Sequence, residues 1–317
     1  MKTHGSFPIE GGIPKAESAH YSPRNAFLEF GSTSIKFYLV GTTGQSAGQV
    51  EHEQKIAWDL GYDVFTHARV SPGTIARCVA TLKKLRETYP ELSFEAITAV
   101  GTSALREAQN AEVFQRVLRE ELGLKIHVIE GGIEAFLLET GFRNSVDRYP
   151  TALFDLGGGS LELVEYLSPY STKKTSLPVG AIRLHCHLRH TRDLFTYIRE
   201  GRTIVENTLR QHLLGNTPRY RELIGTGGTV RAIVDILGKD TFDGSDLGKI
   251  IQQEVHGPVW DELPPHRRKA LLPGIITIET LFHTLKLERM VYRTASVNRG
   301  LMALMSLIPS SDTGTGH

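Results

Sequence analysis

Cysteine is scarce. Cys78 and Cys186 are too few for a disulfide scaffold or a thiolate zinc site, so a reducing compartment, the cytoplasm, is the expectation. No apolar run approaches the length of a membrane span, and no membrane partner is expected. Charge of one sign is also missing: 36 Lys and Arg stand against 35 Asp and Glu, a net +1, which gives no electrostatic footprint of a specific nucleic-acid binder. The phosphate-binding pattern GxxxxGK followed by Ser or Thr is absent. GxGxxG fails as well, because position 230 is Val and position 162 is Glu where a third glycine is required. A P-loop and a dinucleotide-binding Rossmann turn are thereby excluded. The first 24 residues hold no apolar stretch of the secretory kind, and they and the last nine are expected to be flexible tails.

Glycine is abundant instead. The 31 glycines are about a tenth of 317 residues, above the usual ~7%, and they gather in turns. AFLEFGSTSIKFYLV (residues 26–40) predicts strand, tight turn, strand. After Ser71-Pro72, apolar residues at 75, 79, 82 and 85 predict a helix; FEAITAV (94–100) predicts a strand, and helix and strand patterns alternate up to Phe142. Past Tyr149-Pro150, TALFDLGGGSLELVEY repeats the earlier design: an acid ends a buried strand, a Gly/Ser turn follows, and a second strand leaves. The fold class expected is α/β, a duplicated domain with a cleft between the copies, with domains over 25–148 and 149–308.

Three turns can present backbone N–H groups and hydroxyls to phosphate oxygens: Gly31, Ser32, Thr33 and Ser34; Gly157, Gly158, Gly159 and Ser160; and the GTGGT turn with Gly227, Gly228 and Thr229. Most such turns only reverse a hairpin, but three in a duplicated chain favour anion binding. Asp155 precedes the second turn and Glu162 follows on the returning strand, so both are expected to face one locus, where a divalent cation such as Mg²⁺ would bridge carboxylate and phosphate. The bland alternative is that Asp155 caps its turn. Glu134, after a Gly-Gly pair, is either a first-turn helix acid or a general base for water. Arg106 reads on composition as a surface residue. RLHCHLRHTR (183–192) reads as a solvated or polyanion-facing helix rather than a metal site, and HRRK (266–269) as a basic surface turn.

Taken together, LEFGSTSIKFYLV, VGTSALREAQN, VIEGGIEAFLLETGF, LFDLGGGSLELVEY, SLPVGAIRL, LIGTGGTVRAIVDI, LLPGIITIE and ASVNRGLM resemble the exopolyphosphatase/guanosine pentaphosphate phosphohydrolase (Ppx/GppA) family, in order, from about Phe27 to about Leu307. The resemblance implies the duplicated actin-like (ribonuclease H-like) ATPase fold. It also implies hydrolysis of a terminal phosphate of inorganic polyphosphate or guanosine pentaphosphate by metal-assisted attack of water, and a possible homodimer. On matching positions it makes Glu134 the water-activating base and Arg106 a polyanion contact. Asp155, Glu162 and Glu29 become the acidic metal site, and the three glycine turns the phosphate loops. The sequence departs from the family pattern at Glu29, where Asp is usual, and at Thr33, where Asn is usual. Ile133 replaces an acid, and Asn298-Arg299-Gly300 replaces Arg-Glu-Gly. These departures motivate a second reading, a weakened sensor that binds the polyanion without turning it over. An ATP-dependent kinase on the same fold ranks third.

Overall fold

A computed structural model of the chain describes residues 9–10, 26–41, 49–213, 218–254, 265–287, 289–294 and 300. Asn298 and Arg299 lie outside them. The described strands form two six-stranded sheets. The first contains β1 (Ile9–Glu10), β2 (Ala26–Phe30), β3 (Ser34–Val40), β4 (Val50–Ala57), β5 (Thr98–Gly101) and β6 (Ile126–Val128), in the order β1-β4-β3-β2-β5-β6. The second contains β7 (Thr151–Leu156), β8 (Leu161–Ser168), β9 (Ser171–Leu177), β10 (Glu222–Thr226), β11 (Thr241–Phe242) and β12 (Met290–Tyr292), in the order β11-β12-β10-β7-β8-β9.

The two sheets share one plan. Each opens with an antiparallel meander (β2-β3-β4 and β7-β8-β9), and each adds two strands parallel to the first meander strand, β5 and β6 in one, β10 and β12 in the other. Counted within each copy, both orders are 3-2-1-4-5. This is the duplicated α/β plan that the repeated hairpins predict, and the actin-like (ribonuclease H-like) architecture that the family resemblance implies. A parallel strand needs a crossover, and helices supply it. The first sheet is served by α1 (Leu60–His67), α2 (Pro72–Thr88), α3 (Ser103–Glu107) and α4 (Ala111–Leu122). α2 starts as the sequence indicates: the Ser71 side chain accepts the Thr74 N–H at 3.1 Å and Pro72 holds the first helical position.

α5 (Gly131–Phe142) differs from the others, because it is apolar around most of its girth and is buried on two sides. Ile133 and Leu137 pack on Phe27, Tyr38 and Val100 of the first sheet, while Leu138 and Phe142 pack with Leu153, Val164 and Tyr166 of the second. The helix therefore ties the copies together, and Ile133 is explained as part of that contact. The second sheet carries α6 (Ala181–Leu188), α7 (Leu194–His212), α8 (Gly228–Leu237), α9 (Gly244–Glu254) and α10 (Pro265–Leu285) around its own core.

Several local expectations are corrected. Residues 94–96 form a short 3-10 turn and the strand begins only at Thr98. HRRK (266–269) lies in the first turns of α10, where Pro265 is at home because an initial helical residue needs no N–H partner. Ile9–Glu10, within the segment expected to be a tail, pairs antiparallel with Lys55 and Ile56. No helix among the described residues is long and apolar enough to cross a membrane.

Candidate functional site

The two glycine hairpins meet between the sheets. A side chain placed on Gly158 or Gly159 would run into Ser32, and Gly180 packs on the backbone of Gly158 and Gly159, so only glycine permits this approach. The turns are built alike. Gly31 N–H donates to Ser34 O at 3.0 Å, and Gly157 N–H donates to Ser160 O at 2.9 Å.

Their remaining carbonyls point into protein. Gly31 O accepts Trp58 Nε1–H (2.7 Å), Ser32 O accepts Gly61 N–H (2.8 Å) and Thr33 O accepts Trp58 N–H (3.1 Å). Gly157 O accepts Ala181 N–H (3.0 Å), Gly158 O accepts the N–H groups of Ile182 and Arg183 (2.9 and 3.0 Å), and Gly159 O accepts Arg183 Nε–H (2.7 Å). All eight turn carbonyls are thus consumed. With the Ser160 hydroxyl engaged by Glu162, what the turns retain for a ligand is chiefly backbone N–H donors and the hydroxyls of the first turn, an inventory that suits an anion.

The third turn sits beside them. β10 pairs with β7 in a register that sets Thr226 against Asp155, and Gly227, at φ +96°, lies so close to the Asp155 carboxylate that no Cβ fits. Asp155 therefore lies against the N-terminus of α8, where no side chain caps the helix by a hydrogen bond. Gly228 has open space around it. Thr229 is buried, with its side chain, methyl group foremost, against Gly274 of α10.

The acids line up in matched pairs across the hairpins. Glu29 lies opposite Lys36, and Asp155 lies opposite Glu162. Lys36 Nζ reaches both oxygens of Glu29, at 2.9 and 3.0 Å. Burial works against the Lys36 charge, but Glu29, with Tyr38 and Asp155, outweighs it and holds the ammonium above its ordinary range. Asp155 is pushed up by burial, opposed by Lys36 and reinforced by Glu29. Glu162 is pushed well up by burial, then by Glu134 and Asp155, against hydrogen bonds from Ser160 and Ser176 (Ser176 Oγ–Oε1 3.0 Å).

Glu134 lies in the first turn of α5. Arg106, at the end of α3, donates from Nη1 to Glu134 Oε2 at 2.8 Å and to Ile129 O at 2.6 Å. It is no surface arginine; it fixes the carboxylate. Burial raises the Glu134 pKa to about 7, Arg106 opposes that rise, and Glu29 and Asp155 add to it. A carboxylate near 7 is poised as a base at neutral pH. Arg106, Gly131, Gly132, Ser160 and Arg183 line a cavity of about 310 Å³ alongside.

The expected three-carboxylate metal site is not assembled. Among the described residues no three His, Cys, Asp or Glu side chains converge to hold an ion, and both Glu29 oxygens are committed to Lys36. Asp155 and Glu162 alone fit Mg²⁺, which takes one or two carboxylates and completes its shell with water and substrate phosphate. Sequence reasoning missed Lys36, Ser176 and Glu107. It placed Arg183 only within a polyanion-facing helix. The offset of seven residues shared by Glu29–Lys36 and Asp155–Glu162 was a readable signal for Lys36.

The family model of the Ppx/GppA phosphatases matches residues 44–307. The chain belongs to the Ppx/GppA phosphatase family. The match begins beyond β3, so the first hairpin rests on its geometry. Two curated relatives illustrate the sequence likeness. A bifunctional 3-dehydroquinate synthase/phosphatase of Fusobacterium nucleatum is 25% identical over 288 residues, covering 81% of this chain and 42% of that protein. A guanosine-5'-triphosphate,3'-diphosphate pyrophosphatase of Pseudoalteromonas translucida is 24% identical over 304 residues, covering 90% and 59%. The chain spans about half the length of these curated relatives. An exopolyphosphatase from Cytophaga hutchinsonii superposes with a TM-score of 0.73 at 21% identity, over 90% of this chain and 98% of that one. A Ppx/GppA family member of Aquifex aeolicus gives 0.66 at 20%, over 89% and 97%. At such identities these two structures show the shared fold.

Proposed function

We propose that the protein is a phosphohydrolase that releases the terminal phosphate of inorganic polyphosphate or guanosine pentaphosphate. The observation that carries this reading is the pair of glycine turns, their carbonyls all paired within the protein, meeting beside Glu134. The turns bind oxygens of the terminal phosphoryl group, and Arg106 holds Glu134 in place beside it. Glu134 takes a proton from a water molecule as the water oxygen bonds to phosphorus. The anhydride P–O bond on the opposite side breaks, and the shortened phosphate chain leaves with the bonding electrons. The proton then passes from Glu134 to phosphate or solvent. Turn N–H groups and arginine offset the charge on the equatorial oxygens. Asp155 and Glu162 are the residues that would hold Mg²⁺, which when bound neutralises phosphate oxygens.

Glu134→Gln tests the assignment. It keeps the shape and a contact to Arg106 but removes the base. Phosphate release is expected to fall by about 10²–10⁴-fold. Unchanged turnover in a folded variant removes Glu134 from the mechanism. The competing sensor reading draws on Lys36 neutralising Glu29. It predicts ligand-induced thermal stabilisation of the wild type with no phosphate released from either substrate.

A further inference from the structure

Across the cavity from Arg106, on the other lobe, stands Arg183 at the start of α6. Its guanidinium is fixed from behind. Nε donates to Gly159 O at 2.7 Å, and the ring of Phe65 lies 4.3 Å beneath it. The forked end is engaged by Glu107 of α3: Nη1 donates to Oε2 at 2.7 Å and Nη2 donates to Oε1, with a further bond from Nη2 to Ser103 Oγ at 3.2 Å. Ser103 Oγ in turn donates to Glu107 Oε1 at 3.3 Å.

A two-toothed carboxylate on an arginine fork occupies the geometry that two phosphate oxygens take. Here that carboxylate comes from the protein itself and lines the same cavity as Arg106 and Ser160, the last residue of the second glycine turn. The partners are unequally anchored. The Arg183 side chain is 13% exposed and held at three further points, whereas the Glu107 side chain is 38% exposed. The carboxylate can leave for water at small cost, while the guanidinium stays.

We propose that the Arg183 fork is a second phosphate subsite of the cleft, closed in this structure by Glu107, and that an incoming polyanion displaces that carboxylate. The inference rests on the phosphohydrolase reading for the class of ligand. It adds that a substrate needs at least two linked phosphates to use the cleft fully: one at the glycine turns beside Arg106, and another on Arg183. Glu107 thereby acts as an internal competitor that lowers affinity for short anions.

The test is calorimetric titration of the full chain with inorganic tripolyphosphate and with orthophosphate, with thermal unfolding as a fold control. Glu107→Gln is expected to tighten tripolyphosphate binding several-fold and to leave orthophosphate nearly unchanged. Arg183→Ala is expected to weaken tripolyphosphate about tenfold or more. Arg183→Lys, which keeps charge but loses the fork, falls between them, and Glu107→Gln adds nothing on an Arg183→Ala background. If the variants change only the unfolding temperature, the ion pair is a structural clamp between lobes and the subsite is overturned. Absence of tripolyphosphate binding in both wild type and Glu107→Gln overturns it equally. The readout is binding, so its failure is separable from that of the function. A chain that binds in this pattern yet releases no phosphate refutes the hydrolase and keeps the subsite, and a chain that hydrolyses without it does the reverse.

Discussion

The two glycine hairpins share a backbone and differ in charge. Both place an acid one residue before the first strand ends, close the turn with the same N–H···O bond, and set a second ionisable residue directly across the ladder. In the first hairpin that residue is Lys36, and the pair is neutral. In the second it is Glu162, and two carboxylates lie opposite each other, both with proton affinity raised by burial; Glu29 adds to the rise at Asp155, and Glu134 and Asp155 add to it at Glu162. The two copies keep the turn and differ in charge: the first hairpin carries its own cation, Lys36, and the second has a carboxylate at that place.

Asp155→Asn and Glu29→Gln compare the hairpins directly. Asp155→Asn is expected to lower phosphate release by about 10²–10³-fold, as removing one preorganised electrostatic group does, and Glu29→Gln by less than about tenfold. Equal losses, measured on one substrate, break the comparison.

A second way to sharpen it is pH. The folded-state pKa of Glu134 lies at about 7 against an ordinary 4.5, and those of Asp155 and Glu162 are raised as well. A raised pKa gives stability that is complete below the unfolded value and lost as pH rises through the folded one. The unliganded protein is therefore expected to unfold at lower temperature at pH 8 than at pH 5, with Glu134 alone contributing on the order of 3 kcal/mol. Glu134→Gln should flatten that dependence. Turnover runs the opposite way, rising towards a plateau above about pH 7, because the base must be deprotonated. Arg106→Gln, which removes the opposing cation, should move that limb to higher pH. A limb that stays in place breaks the link between them.

The smallest effect is expected at Lys36. Lys36→Met strands the Glu29 carboxylate, but the side chains are 34% and 27% exposed, so the loss is about 1–2 kcal/mol rather than the full value of a buried pair. Urea unfolding of Lys36→Met, of Glu29→Gln and of the double variant measures it. The double variant should recover most of the stability. If it does not, the first hairpin is not a neutralised copy of the second.

Much of the fold was legible because the signals were local. AFLEFGSTSIKFYLV and TALFDLGGGSLELVEY name both hairpins and, by their likeness, the duplication. The third meander strands were harder to see. β4 (VEHEQKIA) and β9 (STKKTSL) are polar and partly exposed, so no apolar alternation marks them. In the site, Asp155 facing Glu162 was readable from a seven-residue offset across a tight turn. The same offset sets Lys36 opposite Glu29, a pairing that was legible in principle and was missed. Thr229 in GTGGT packs its side chain on Gly274 of α10, a contact that the local sequence does not announce.

Arg183 and Glu107 are 76 residues apart, and no spacing rule joins them. Sequence alone set the glycine turns, the acids at their strands and the repeat, since each depends on neighbours along the chain or across one hairpin. Tertiary structure decided that Arg106 meets Glu134 and that Arg183 meets Glu107, because those pairings are properties of how the two lobes and α5 pack, and burial fixes the charge each group can keep.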